Sequence, residues 1–359
     1  MNIPILSYFS GGGFLDLGFE MEGFDVIWTN EISKEISKMY NSGMSSALNK
    51  KIEITSNESI QDINILDLKN NVTKKINSKI WGIIGGPPCP DFSVGGKNRG
   101  KEGDLGKLSK IYVEHICQLK PSFFIFENVK GLIRTAAHRE FFFELIDQLK
   151  SNGYAVDYKL LNALDYGVPQ DRERIIIFGI KTSLYKKIFK KKYTGEYNWF
   201  IWPIEKYPDA KNKYEWYNIE NKEALSKIPK ELMVGSYILN QEELGGLENS
   251  NEFFKPRSTK FTKIIEGDTS RKSFKRLHRL RYSPTAAYGN NEVHLHPEQN
   301  RRLSVREALR IQSVPDSYKI DKDLSLSVKF KVIGNGVPVK LGNEIAKSIN
   351  LFFDKIIDK

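Results

Sequence analysis

Through its first 180 residues the chain alternates short apolar runs, closed by glycine or polar clusters, with longer stretches whose apolar residues recur at helical spacing. No other feature narrows the possible folds as far. The runs at 3–9, 25–28, 80–84, 123–126 and 175–180 read as buried strands, and 111–119 and 140–149 as amphipathic helices. Such alternation predicts an α/β unit around a largely parallel sheet, because parallel neighbours need a crossover that a helix supplies. Ligands bind such sheets at the carboxyl ends of the strands, so the loops after each strand are where chemistry is expected.

The pattern breaks after about residue 181. From there to about 275 the chain is rich in lysine, tyrosine and tryptophan with weak periodicity, KKIFKKKYTGEYNWFIWPIEKYP being the extreme case. This stretch is expected to form a second, smaller domain with an aromatic core. Helical patterning returns within 276–359, in LSVREALRIQ and VPVKLGNEIAKSINLFF, and the last helix is expected to pack back onto the first domain.

A length of 359 residues is comfortable for two such units. The formal charge of +11 fits a polyanionic partner and equally a lysine-rich proteome. Two cysteines, Cys89 and Cys117, exclude a disulfide scaffold or a four-cysteine zinc site and point to a reducing cytoplasm. No apolar run is long enough to span a bilayer, and the first residues read as a strand rather than a signal peptide. No metal is expected, since the histidines show no ligand spacing.

Four clusters carry chemistry. Phe9-Ser10-Gly11-Gly12-Gly13, between a strand and a helix, is a nucleotide-type loop, but Asp16 stands where the third glycine of a dinucleotide fingerprint belongs. A cofactor without phosphates suits it better, with Glu31 at the next strand end for ribose hydroxyls and Asp62 for an adenine amino group. In GGPPCPDFSVGGKNRG, Cys89 follows a strand in a stiff Gly-Pro turn, where a thiolate can meet a ligand; Cys117 sits on an apolar helix face and reads as core. In FFIFENVKGL, Glu127 lies just past a strand of phenylalanines, where burial would raise its pKa. In QDRER, Gln170, Arg172 and Arg174 enter a strand with both arginines on one side, fit either to hold a carbonyl or phosphate or to form a solvated strand end.

Together, and in this order, the motifs resemble the DNA cytosine-5 methyltransferase family. FSGGGFLDLGFE is similar to its cofactor loop, PPCPDFS to its nucleophile loop, and ENVKGL and QDRER to its Glu-Asn-Val and Gln-x-Arg-x-Arg motifs. RRLSVREALRIQSVPDSY and VIGNGVPVKLGNEIA resemble its two C-terminal motifs. The resemblance implies a Rossmann-like S-adenosylmethionine-dependent sheet over 1–180, a target recognition domain over 181–275, and a return to the catalytic domain over 276–359.

The same resemblance implies Cys89 as the nucleophile on cytosine carbon 6, Glu127 as the acid at ring nitrogen 3, and Arg174 at the base carbonyl with Arg172 supporting the pocket. It assigns Phe9, Gly11, Gly13, Glu31, Asp62, Ile63, Pro88, Leu108 and Asn335 to S-adenosylmethionine, and Ser93, Lys97, Arg99 and Gln170 to DNA. It further implies a double-stranded DNA substrate, a monomer, and a cognate restriction endonuclease acting on the same site. The chain departs from the family at Phe14 (glycine is usual), Pro90 (glutamine), Val332 (glutamine) and in lacking an arginine before Leu108. None of these removes a catalytic group.

Two rivals remain. A transfer RNA methyltransferase of the same fold is disfavoured by the long basic insert, and a silent DNA-binding protein by the presence of Cys89, Glu127 and Arg174. A nicotinamide oxidoreductase is disfavoured by the broken fingerprint.

Overall fold

The computed structural model describes residues 2–76, 78–88, 104–214, 223, 226–256, 259–288 and 292–357. Six strands form one sheet: β1 (Ile3–Tyr8), β2 (Phe24–Asn30), β3 (Gly82–Gly85), β4 (Phe123–Val129), β5 (Tyr154–Asn162) and β6 (Glu173–Lys181). Their spatial order is β2-β1-β3-β4-β6-β5. The pairs β1/β2, β1/β3 and β3/β4 are parallel, whereas β6 runs antiparallel to both β4 and β5. The β2-β1-β3-β4 part of the sheet is therefore parallel, as expected of a largely parallel sheet, and the β6-β5 edge makes it mixed.

Two elements differ from the sequence reading. Strand β5 was not expected, because its Asp157 and Lys159 interrupt the apolar run. Strand β4 runs on to Val129, so Glu127 and Asn128 lie within it, held there by antiparallel pairing with Ile176 and Ile175 of β6. Such pairing is non-local and leaves no mark on β4 itself.

Alternating side chains fill both faces of the sheet. Phe123 and Ile125 of β4 face one side with Ile176, Phe178 and Ile180 of β6; Phe124 and Phe126 face the other with Ile175 and Ile177. The second face is covered by α3 (Ile65–Thr73), α4 (Asp104–Leu119) and α5 (Ala136–Ser151), after α1 (Phe14–Glu20) and α2 (Lys34–Leu48) in chain order. Cys117 belongs to this apolar layer, as expected of a core thiol.

The first face carries α6 (Thr182–Phe189) and, after α7 (Val305–Ile311) and α8 (Leu326–Asn335), the last helix α9 (Val339–Ile357). Leu341, Ile345, Ile349 and Phe353 of α9 are buried there with Phe19 and Phe123. The last helix is thus packed against the sheet built by the first 181 residues.

The segment expected to form a separate aromatic unit divides instead. Tyr185, Trp199 and Phe200 are buried in the sheet's own core beside Phe178 and Phe352, not in a core of their own. Buried Asp157 of β5 fastens them, accepting from the backbone N–H groups of Asn198 (3.0 Å) and Phe200 (2.9 Å). Beyond them the chain forms small apolar clusters, one around Leu232 and Tyr282 and one around Phe261 and Leu295. The buried Arg276 guanidinium ties the latter together, donating to the carbonyls of Phe261, Ile264 and His296. A further cluster joins Val234, Ile238 and Leu277 to α1, α2, α7 and α8.

Candidate active site

Strand β1 has β2 on one side and β3 on the other, so the chain's direction across the sheet reverses there, and a crevice opens beyond the carboxyl ends. A cavity of ≈ 610 Å³ occupies it. Its wall includes Phe9, Ser10, Gly11, Gly12, Phe14 and Asp16 after β1; Glu31, Ile32 and Ser33 after β2; Gly86, Pro87 and Pro88 after β3; and Glu127, Asn128 and Val129 at the end of β4. Leu108, Arg174, Lys331, Val332 and Asn335 complete much of the rest.

The glycine loop is a tight turn. Phe9 has φ +53°, Gly11 +56° and Gly13 +78°, and the N–H of Gly13 donates to Ser10 O at 2.8 Å. A left-handed Phe9 costs of order 1 kcal/mol or more, strain that persists only where the surroundings enforce it. Glu31 closes the turn, accepting from the N–H of Gly11 (3.2 Å) and of Ser33 (2.9 Å). Burial raises the Glu31 pKa, opposed by those two amides and by Lys331.

At the other end of the cavity, Glu127 Oε1 meets Arg174 Nε at 2.8 Å, with both side chains about nine-tenths buried. Burial pushes the Glu127 carboxyl up, and Arg174 and then Arg172 hold it back. Both arginines are depressed by their own burial but remain guanidinium ions, since their ordinary pKa is so high. The solvated strand-end reading of the arginines is thereby excluded. Arg174 Nη1 donates to Glu173 O at 2.8 Å. Arg172 sits behind the wall, donating to Ala286 O (3.3 Å) and Asn335 O (3.0 Å), and so fixes the end of α8.

Asn128 links two motifs that sequence alone leaves separate. Its Nδ2 donates to Pro87 O at 3.3 Å while its Oδ1 accepts from Val129 N at 2.8 Å. The end of β4 thus holds the turn that leads into Cys89. Cys89, Ser93, Lys97, Arg99 and Pro90 lie outside the described residues, as do the loop positions between them; Pro88, the chain neighbour of Cys89, is on the cavity wall.

Of the residues expected around a cofactor, Phe9, Gly11, Glu31, Pro88, Leu108 and Asn335 line the cavity. Gly13 does not; it starts α1 and is packed against Tyr40 and Met44. Asp62 is exposed and Ile63 is buried in the core under α3, while Ser59 and Ile60, just before them, are on the wall. Gln170 needs correction as a DNA contact. It is fully buried, its Oε1 accepting from Ala286 N (3.2 Å) and its Nε2 facing Gln312 Oε1 (3.5 Å), so it braces the interior. The departures Phe14 and Val332 are both buried on the wall, giving that part of the cavity an apolar lining.

Sequence reasoning missed Asp16 as a site group. It is 1% exposed, accepts from Ser7 Oγ (2.7 Å) and Tyr40 OH (2.8 Å), and burial pushes its pKa up to about 6. An acid inside the otherwise apolar FLDLGF was the available signal.

Among the described residues no helix is long and apolar enough to cross a membrane. The family model for C-5 cytosine-specific DNA methylases matches residues 3–351. The chain is 44% identical to type II methyltransferase M.NmeDI of Neisseria meningitidis serogroup C, over 98% of this chain and 84% of that protein. It is 31% identical to type II methyltransferase M.MthTI of Methanothermobacter thermautotrophicus over the whole of both. Among solved structures, Spodoptera frugiperda DNMT2 superposes with a TM-score of 0.59 at 18% identity, covering 98% of this chain and 100% of that one, and shares the fold. The matched span takes in both the glycine loop and the Glu127–Arg174 pair, and the chain belongs to the C-5 cytosine-specific DNA methylases: it is a DNA cytosine-5 methyltransferase.

Proposed function

We propose that S-adenosylmethionine binds in the ≈ 610 Å³ cavity and that a flipped-out cytosine enters beside it, at the Glu127–Arg174 end. One observation carries this reading: a single cavity has the Gly11–Glu31 turn at one end, a buried carboxylate–guanidinium pair at the other, and the residue preceding Cys89 on its wall. The volume lies within the ~300–1,000 Å³ usual for small-molecule sites. Glu31 keeps lone pairs for ribose hydroxyls, since each of its oxygens accepts one backbone N–H. Glycines and apolar Phe14 and Val332 let an uncharged ring system approach closely. When bound, the cofactor supplies an electrophilic methyl group on a sulfonium sulfur.

The chain's own residues do the remaining work. The target base leaves the duplex, since carbon 6 is inaccessible in the stack. The Cys89 thiolate forms a bond to carbon 6, and the displaced electron pair moves toward carbon 5 and ring nitrogen 3. Glu127, whose pKa burial raises against the pull of Arg174, bonds nitrogen 3 in its protonated form and stabilises that charge. Arg174 holds the ring carbonyl. After methylation, loss of the carbon-5 proton to a base returns the pair to the ring, and the sulfur–carbon bond breaks to free Cys89.

The chain's relatives are named type II methyltransferases, which supports a restriction–modification role with a cognate endonuclease. We assign a monomer in the cytoplasm, DNA contacts to Ser93, Lys97 and Arg99, and target recognition to the insert of 181–275, mainly beyond the aromatic cap that ends near 202.

The test is denaturing electrophoresis after mixing protein, labelled cofactor and DNA containing 5-fluorocytosine, in which fluorine blocks the final elimination. A DNA-dependent covalent adduct that is absent from Cys89→Ser is expected. An adduct formed on fluorinated transfer RNA and not on DNA would move the substrate to RNA; no adduct on either, with cofactor bound, would remove the catalytic reading.

A further inference from the structure

The turn between α7 and α8 sends one side chain deep under the glycine loop. Tyr318 is fully buried, and its hydroxyl donates to Gly12 O at 2.6 Å, with Met39 O farther off at 3.3 Å. To get there the ring crosses α2 at Gly43. A methyl group on Gly43 would stand 1.9 Å from the Tyr318 Cζ, so the helix is open at that point only because the residue has no side chain. The far edge of the ring meets Phe14 at 5.4 Å between centroids, with planes 76° apart. Gly12 and Phe14 are both on the cavity wall; Tyr318 and Gly43 are not.

The segment carrying Tyr318 is fastened on both sides. Ser46 Oγ of α2 accepts from Lys319 N at 2.8 Å, and Ser42 Oγ accepts from Asp321 N at 3.3 Å. Arg306 of α7, itself fully buried, donates through Nη2 to Tyr318 O (2.7 Å) and through Nε to Glu248 O (3.0 Å). The ring is thus set from the C-terminal third and the insert, yet it acts on a carbonyl of the cofactor loop more than 300 positions earlier in the chain.

We propose that Tyr318 is a positioning residue for cofactor binding, fixing the glycine loop through the Gly12 carbonyl and bracing Phe14 from behind, in a slot that Gly43 leaves in α2. The inference rests on the reading that S-adenosylmethionine occupies this cavity. A buried hydroxyl–carbonyl bond that preorganises a loop is worth enough to change an affinity by about five- to tenfold when only the hydroxyl is removed. Gly43 is off the cavity wall and the nearest atoms to a side chain there are those of Tyr318, so filling it acts on the cavity through the tyrosine ring.

The experiment measures S-adenosylmethionine binding by calorimetry, together with kcat and the two KM values on cognate DNA, for the full chain and for Tyr318→Phe, Gly43→Ala, Tyr318→Ala and the double variant Gly43→Ala/Tyr318→Ala. Tyr318→Phe keeps the ring and should raise the cofactor Kd and KM about five- to tenfold. The DNA KM should stay within about twofold, a split that general destabilisation does not produce. Gly43→Ala should raise the cofactor Kd at least as much, and should add nothing in the Tyr318→Ala background, where no ring is left to displace. Unchanged cofactor binding in Tyr318→Phe, a parallel rise in both KM values, or additive effects of Gly43→Ala and Tyr318→Ala would overturn the proposal. A wild-type chain that binds no S-adenosylmethionine would remove the cofactor assignment itself and this inference with it.

Discussion

Asp16→Asn isolates the energetic consequence of placing a carboxylate inside the cofactor loop's foundation. Asp16 is 1% exposed and has two hydroxyl donors, from Ser7 and Tyr40, against the burial that pushes its pKa from 3.8 to about 6. A folded-state pKa above the unfolded one means that folding favours the protonated acid. Its stabilising contribution is full below about pH 4 and is lost as pH rises through about 6, the unfolded chain having already released the proton. The total swing is the shift of about 2.2 units, or about 3 kcal/mol at about 1.36 kcal/mol per unit. Between pH 5 and 8 the part still to be lost is about 1.4 kcal/mol, because at pH 5 the unfolded acid is almost fully ionised while the folded one is not. Asparagine keeps the shape without titrating, accepting from one hydroxyl and donating to the other. Urea unfolding followed by tryptophan fluorescence, for both proteins at each pH, cancels every other titrating group in the difference. The variant should gain about 1.4 kcal/mol on the wild type between pH 5 and 8. A difference that stays flat with pH, or one that favours the wild type as pH rises, would refute the assignment of a burial-raised acid.

Glu127→Gln should lower kcat by about 10²–10³-fold while leaving the cofactor Kd within about twofold, measured by radiolabelled methyl transfer and calorimetry. It also removes the carboxylate that pairs with Arg174 Nε at 2.8 Å in the resting protein and should cost about 3–5 kcal/mol in urea unfolding. Because Glu127 acts protonated and burial raises its pKa, wild-type kcat should fall with rising pH at a point above the ordinary carboxylate range, and the variant should lack that limb. Gly18→Ala would put a methyl group 2.6 Å from Asn343 N and 2.7 Å from Val339 O, where α1 meets the backbone of α9. Helix backbone cannot give way as a side-chain tip can, so a loss of about 1–3 kcal/mol is expected, seen as a lower Tm with cofactor binding retained at low temperature.

What sequence makes legible here is whatever a short window contains. The apolar runs of β1, β3, β4 and β6 announce themselves because both faces of those strands are buried. Ligands bind at the carboxyl ends of the parallel strands, so Glu31 and Glu127 could be named from their places at strand ends, and Arg174, which opens the antiparallel β6, meets them at the same edge. Illegible were relations between distant windows. Asp157 looks like an interruption on its own strand and makes sense only once it is bonded to the backbone of Asn198 and Phe200, which draws the aromatic segment onto the sheet. Gln170 and Arg172 share a motif with Arg174, yet one braces Ala286, the second ties α8, and only the third reaches the cavity. A strand-entry motif gives spacing but not depth, and depth decides whether a polar side chain meets substrate or holds the wall that does. Tyr318 carries the argument furthest. Its motif RRLSVREALRIQSVPDSY names no ligand, but its short hydrogen bond to Gly12 O and a missing side chain at Gly43 place it under the loop. The first C-terminal motif therefore bears on the cavity as a frame that sets where the glycine turn stands, while the second also lines the wall with Val332 and Asn335.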